Sequence, residues 1–287
     1  MKITKLLGYQ VLDSRGRPTV AASITLEDGS IHTARVPSGA STGKHEALEL
    51  RDGDLLAHKS FYGPLSVSKA IDNVNARIAP LVVGSQIDLN FIDGVIRELD
   101  TSSNFSSLGA NATLAVSLSA AKACAHSQKV SLARYFQPDG NLLIPMPMVN
   151  ILSGGAHANR SLDFQDVLVI PTGAKTFTEA LSWIVAIRET AAQLGREAGM
   201  VTHLVADEGG LGISFESIES AMDFVIKAIE KVGLKPGAQV SLALDVASTQ
   251  FFNKGSYNLA SSQKSYSSAD FVSYIQGLVS NYPIISI

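Results

Sequence analysis

From Met148 onward, short apolar runs alternate with long amphipathic segments, and this alternation constrains the fold more than any other feature. Residues 148–152 and 167–171 are short and largely apolar, as buried strands are. Residues 177–197 place Leu181, Ile184, Ile187, Ala191 and Leu194 at helical spacing. Residues 202–206 read as a short strand. Residues 216–232 read as a helix with Ile218, Met222, Val225, Ile229 and Val232 on one stripe. A strand at 240–246, a helix at 267–281 and an apolar strand at 284–287 follow. Such a pattern predicts a parallel α/β architecture, either a barrel or a doubly wound sheet.

The first part of the chain is different. Val20, Ala22, Ile24 and Leu26 alternate with Ala21, Ser23 and Thr25, the period of a half-buried strand. Glu27-Asp28-Gly29-Ser30 is a turn, and residues 31–36 are the return strand of a hairpin. The loop PSGASTGK, residues 37–44, has no periodicity and should be exposed. Val67, Ile71, Val74 and Ile78 mark a helix. Residues 111–128 mark an alanine-rich one with Leu114, Leu118 and Ala121 on one face. The turn cluster Gln137-Pro138-Asp139-Gly140 sets a boundary, giving domains 1–138 and 139–287. The length of 287 residues also suggests about two domains.

Composition removes several classes of function. A net charge of −3 offers no basic field for nucleic acid. No apolar run is long enough for a membrane span, and the N-terminus lacks a signal-peptide core. We therefore expect a soluble, cytoplasmic protein with neither a membrane nor a nucleic-acid partner. The lone cysteine, Cys124, excludes an internal disulfide and sits in an alanine-rich run, where a buried small residue is expected.

In parallel barrels, functional side chains sit at the carboxyl ends of strands. Asp207 and Glu208 follow the expected strand at 202–206, and Asp245 lies near the end of VSLALDV. Acids in such places are metal ligands, acid/base groups, helix caps or solvated loop residues, and spacing does not choose among them. Ser153-Gly154-Gly155-Ala156-His157 is a glycine-rich segment that admits close backbone approach, with a histidine able to meet an anion. Gln165 and Asp166 flank the next strand. Gly39 to Lys44 fails as a phosphate loop, because only three residues separate Gly39 from Gly43 and His45 follows Lys44. Its small hydroxyls, Ser38, Ser41 and Thr42, suit a hard cation or a phosphate. His45-Glu46 lacks the second histidine of a zinc-protease helix.

Several motifs, in this order, resemble enolase. They are DSRG (13–16) with Pro18-Thr19, VPSGASTG (36–43), EALELRDGD (46–54), LGAN (108–111), SGGAHA (153–158), DEGG (207–210), ALDVA (243–247) and YPIISI (282–287). The resemblance covers essentially the whole chain. It implies a small N-terminal α+β domain followed by an α/β TIM-like barrel with an irregular start, incomplete here. It implies Mg²⁺-dependent dehydration of 2-phosphoglycerate to phosphoenolpyruvate, in a homodimer. Carried over by position, Asp245 resembles a Mg²⁺ ligand and Ser41 a lid residue reaching a second Mg²⁺. Glu208 resembles the acid that assists loss of the hydroxyl, with Asp166 in the same network. His157 and Gln165 resemble substrate contacts.

The chain departs from that pattern. Ser153 stands for the family's usual Asn, Asp166 for Glu, Ala206 for Gly, Leu211 to Ser214 for FAPN, Gln250 for Glu and Arg17 for Asn. In the family, the remaining metal carboxylates, the lysine base and the phosphate-holding arginine and histidine lie beyond the position of Ile287. The expectation is that the chain as written is an inactive fragment of an enolase-type enzyme. Two alternatives are a non-catalytic binding or scaffold protein derived from enolase and a superfamily lyase with a different acid substrate.

Overall fold

The computed structural model describes residues 1–39, 42–43, 45–53 and 62–287. The chain divides into two units, Met1–Leu143 and Ile144–Ile287.

The first unit opens with an antiparallel meander of β1 (Ile3–Leu12), β2 (Pro18–Leu26) and β3 (Ile31–Arg35). The β2–β3 turn follows from its sequence. Gly29 takes φ +82°, and the Asp28 carboxylate accepts from the Ser30 N–H at 3.0 Å. Helices α1 (Ser68–Asp72) and α2 (Ala79–Val82) flank a π-helical turn at Asn73–Ile78, so the expected single helix is wound unevenly. Then come α3 (Leu89–Leu99), capped by the Asp88 side chain, α4 (Ala110–Ser127) and α5 (Leu132–Phe136). Val20, Ala22, Ile24 and Leu26 share one core with Val74, Ile78, Ala112 and Val116.

One expectation about α4 fails. Leu114 and Leu118 are 43% and 36% exposed, and the buried face is Ala112, Ala115, Val116, Ser119, Ala120 and Ala123. Helix α4 lies on β2 and β3, and small side chains admit that close approach where leucines would hold the helix off. Cys124 is buried as expected, and burial pushes its thiol above its ordinary pKa.

The second unit contains β4 (Val149–Ser153), β5 (Asp166–Ile170), α6 (Phe177–Glu197), α7 (Ile218–Lys231) and β6 (Ser241–Asp245). A small meander follows, β7 (Phe252–Asn253), β8 (Ser256–Leu259) and β9 (Lys264–Tyr266), and then α8 (Ser268–Asn281) and β10 (Ile284–Ser286). Strands β10, β6, β5 and β4 form one sheet in that order. Only β10 and β6 pair in parallel; β4–β5 and β5–β6 are antiparallel.

The parallel pairing that the strand–helix alternation predicted therefore holds for β10 and β6 and not for β4, β5 and β6, and the reason lies in the connections. Residues 154–165 supply no crossover helix between β4 and β5, only a 3₁₀ turn at Gly155–Ala158. Residues 202–206 form no strand. Val205 makes a single bridge to Leu211, and Val201, Leu204 and Val205 are more than half exposed. Two helices thus run in succession between β5 and β6, and the additional reversal makes those strands antiparallel. Leu181 of α6 is also exposed, while Ile184, Ile187, Ala191 and Leu194 are buried as expected.

Strand periodicity sorts the faces of this sheet. Val167 and Val169 pair with Leu244 and Leu242, and these four pack with Ile184 and Ile187 of α6 and Met222, Val225 and Ile229 of α7. The opposite face carries Asp166 opposite Asp245 and Leu168 opposite Ala243. Among the described residues, no helix is long and apolar enough to cross a membrane.

Candidate functional site

The polar residues singled out in the second unit gather at one end of its sheet. Because β5 runs antiparallel to its neighbours, its first residue, Asp166, lies beside the last residues of β4 and β6. Asp166 pairs in register with Ser153 on one side and Asp245 on the other. A parallel sheet would have put the start of β5 at the far end.

Glycines bring the loops onto this end. A Cβ on Gly154 would stand 2.4 Å from the Phe164 carbonyl oxygen, so no side chain fits there. Glu208 sits not at a strand end, as expected, but in a turn closed by Ala206 N–H to Gly210 O at 2.9 Å and Gly209 N–H to Ala206 O at 2.9 Å. Gly210 lets that turn lie against Ser153 and Asn150, since a Cβ there would meet Ser153 Oγ at 2.3 Å. Leu211, which stands in the altered segment after DEGG, is fully buried. Its backbone ties the turn to β4, donating to Ile151 O at 2.9 Å and accepting from Ser153 N–H at 3.0 Å.

Asn150 is the residue that sequence reasoning missed. Its Nδ2 donates to Ser153 Oγ at 2.9 Å, to Glu208 Oε2 at 3.1 Å and, in a closer contact, to Asp166 Oδ1. One buried amide therefore links both acids of the expected catalytic pair. The signal was present, because an Asn inside the apolar run 149–152 needs partners. The Asp166 carboxyl is 2% exposed and is pushed up to about 6. Burial is the main cause, and the nearby Glu208 and Asp245 charges add to it against the hydrogen bonds from Asn150 and Ser153.

His157 stands between two carboxylates, with Nδ1 3.7 Å from Asp207 Oδ2 and Nε2 3.7 Å from Glu208 Oε1. These are ion-pair distances, too long for hydrogen bonds. Gln165 is buried and donates through Nε2 to Asp245 Oδ2 at 3.1 Å. Gln250 in turn donates to Gln165 Oε1 at 2.9 Å. Glu208, Asp166, His157, Gln165 and Asp245 are thus brought together, while Ser41 lies outside the described residues.

Comparison with known proteins decides the family. Residues 3–136 match the profile of the enolase N-terminal domain, and residues 141–287 match that of the enolase C-terminal TIM barrel domain. The chain belongs to the enolase family. The enolase of a Nitratiruptor species is similar to it, with 43% identity over 286 residues. The match covers 99% of this chain, which spans 66% of that relative's length. The enolase-family barrel is present here as the open four-stranded sheet described above.

Family membership suggests a divalent metal, and the donor set can be tested for one. Among the described residues, no three His, Cys, Asp or Glu side chains are grouped to hold an ion. Asp245 is exposed, and among the described residues its carboxylate accepts from Ala247 N–H at 3.1 Å and from Gln165 Nε2 at 3.1 Å. Lone pairs remain on it for a hard cation. The residues fit a divalent cation as one ligand of a larger set.

Proposed function

We propose that this chain carries part of a site for enolase-type dehydration of 2-phosphoglycerate to phosphoenolpyruvate, with Mg²⁺ as cofactor. The observation that supports it is the convergence of Glu208, Asp166, His157, Gln165 and Asp245 on one end of one sheet.

The reaction removes a proton next to a carboxylate and expels a hydroxyl. Enolase-superfamily sites as a class meet the first demand with a Lys or His base and Mg²⁺. When bound, the metal stabilises the charge that develops on the substrate carboxylate. In this reading, Asp245 is one of its ligands, and Ser41 contributes to a second Mg²⁺.

The chain's own acids serve the second demand. Departure of a hydroxyl requires a proton donor. Asp166, pushed up to about 6 by burial and by its acidic neighbours, holds a proton closer to neutral pH than an ordinary carboxyl does. Asn150 keeps it beside Glu208, which delivers the proton to the leaving oxygen in this proposal. His157 and Gln165 hold the anionic substrate. A homodimer and a cytoplasmic location belong to the same proposal.

The test is magnesium-dependent growth of phosphoenolpyruvate absorbance from 2-phosphoglycerate, using full-length protein. Glu208→Gln is expected to lower kcat by roughly 10²–10⁴-fold. Wild-type turnover unaffected by Glu208→Gln and Asp245→Asn overturns the assignment. A superfamily lyase acting on another acid is the second reading. It is favoured by Asp166, shorter than the family's Glu and 2% exposed. Selective turnover of 2-phosphoglycerate within a panel of hydroxy acids excludes it.

A further inference from the structure

Gln250 lies just beyond β6, at the end of a 3₁₀ turn, and it makes two hydrogen bonds of opposite sense. Its Oε1 accepts from the backbone N–H of Ala156 at 2.9 Å. Its Nε2 donates to Gln165 Oε1 at 2.9 Å. Gln165 then donates through its own Nε2 to Asp245 Oδ2 at 3.1 Å. The direction of this chain is dictated at both ends. A backbone N–H can only donate, so the Gln250 atom facing Ala156 is its oxygen. The remaining Gln250 atom is then nitrogen, which can only donate, so Gln165 turns its oxygen to it. The Gln165 nitrogen is left facing a carboxylate, which accepts.

The close fit is built into the backbone as well. Gly155 takes φ +48°, and a Cβ there would stand 2.8 Å from Gln250 Oε1 and 3.3 Å from Gln165 Cα. Gln165 itself is 6% exposed, so its amide cannot find compensating water freely.

We propose that Gln250 is a positioning residue that fixes the polarity of the Gln165 amide and makes Gln165 donor-only toward the site. One Nε2 proton is held by Asp245. Gln250 takes the carbonyl. The second Nε2 proton is what Gln165 has left to offer a ligand, and it recognises an oxygen acceptor such as a carboxylate or phosphoryl oxygen. The same relay ties the His157 turn, through Ala156, to the Asp245 end of β6. The relay stands on geometry alone; its role toward an oxyanion rests on the proposed function above.

Glutamate at 250 separates the two halves of the relay. A carboxylate still accepts from Ala156 but cannot donate to Gln165 Oε1, so the first hydrogen bond is kept and the second is lost. Alanine removes both bonds. The experiment is nuclear magnetic resonance of ¹⁵N-labelled chain without ligand, reading the exchange of the Ala156 backbone amide and the Gln165 side-chain amide. In the wild type both should exchange at least tenfold more slowly than exposed amides of their kind. Gln250→Glu should keep the Ala156 protection and move the Gln165 side-chain resonances. Gln250→Ala should lose the protection at both.

Fast exchange of the Gln165 amide in the wild type overturns the relay, and this arm needs no variant to fold. Gln165 resonances unmoved in Gln250→Glu overturn it too. Titration with 2-phosphoglycerate is the separate arm. A shift of the Gln165 side-chain protons supports the oxyanion role. An intact relay with no such shift overturns that role and leaves the positioning of the amide standing.

Discussion

Asp166 and Asp245 are register partners across the antiparallel β5–β6 pair, so two carboxylates share one face at one end of the sheet. Burial is the main cause that pushes the Asp166 carboxyl up to about 6, and the Glu208 and Asp245 charges act in the same direction.

A pH dependence follows for the chain in chelator, free of divalent ions. The folded-state pKa of Asp166, about 6, lies above the ordinary carboxyl value. Between those two values the folded state binds the proton and the unfolded state does not, so this group's contribution to stability rises as pH falls from 7 toward 4. Asp166→Asn should abolish that rise and stabilise the chain at pH 7 by on the order of 1–2 kcal/mol. Urea unfolding at several pH values measures it; equal pH slopes in wild type and variant count against the account.

Asn150 holds the two acids together, so its removal should be felt at Asp166 first. Asn150→Ala leaves Asp166, Ser153 and Glu208 short of a donor and should cost about 1–3 kcal/mol. The Asp166 carboxyl should also titrate higher than in the wild type, because the hydrogen bond from Asn150 opposes its upward shift. Carboxyl ¹³C titration reads this directly.

Two neighbouring glycines, one in the Glu208 turn and one just past it, should differ. Gly210→Ala drives a Cβ to within 2.3 Å of Ser153 Oγ and 3.0 Å of Asn150 Oδ1. It should cost roughly 1–3 kcal/mol through overpacking. Gly212→Ala meets only Ala158 Cβ, at 3.5 Å, and should be close to neutral. Comparable losses for both in chemical denaturation would show that chain flexibility, not packing, sets the requirement.

In the first unit, Asp100 is 4% exposed and accepts from Ser102 Oγ and from the N–H groups of Ser102, Ser107 and Leu108. Burial pushes this carboxyl up, but the hydrogen bonds outweigh it and hold the group below its ordinary value. A depressed pKa contributes stability that is present above the unfolded value and lost as pH falls through the folded one. Asp100→Ala should cost about 1–3 kcal/mol at pH 7 and flatten the acid limb of the stability curve below about pH 4. An unchanged acid limb excludes Asp100 as its source.

Much of this molecule was written in local pattern. The period of β2, the stripe of α7 and the turn at Gly29 follow from side-chain spacing and backbone freedom, both short-range properties. Of the candidate site, local pattern singled out polar residues beside glycines and strand ends, among them Asp166, Glu208, His157, Gln165 and Asp245, but their roles came only from the resemblance. Strand direction was not legible. It depended on whether residues 202–206 would pair as a strand, and they do not: Leu204 and Val205 are more than half exposed and Val205 makes a single bridge to Leu211. The face of α4 was not legible either, since hydrophobicity favours the leucines while close packing on β2 and β3 selects the alanines.

The sequence by itself determined the strand period of β2, the buried stripe of α7 and which residue types carry chemistry, because those depend on neighbours a few positions apart. Only the tertiary structure decided that the start of β5 meets the ends of β4 and β6. It also decided that Asn150 bridges Asp166 and Glu208, and that Gln250 sets the orientation of Gln165. Those relations join residues from 13 to 85 positions apart, and they arise from sheet register and loop packing, which no local pattern encodes.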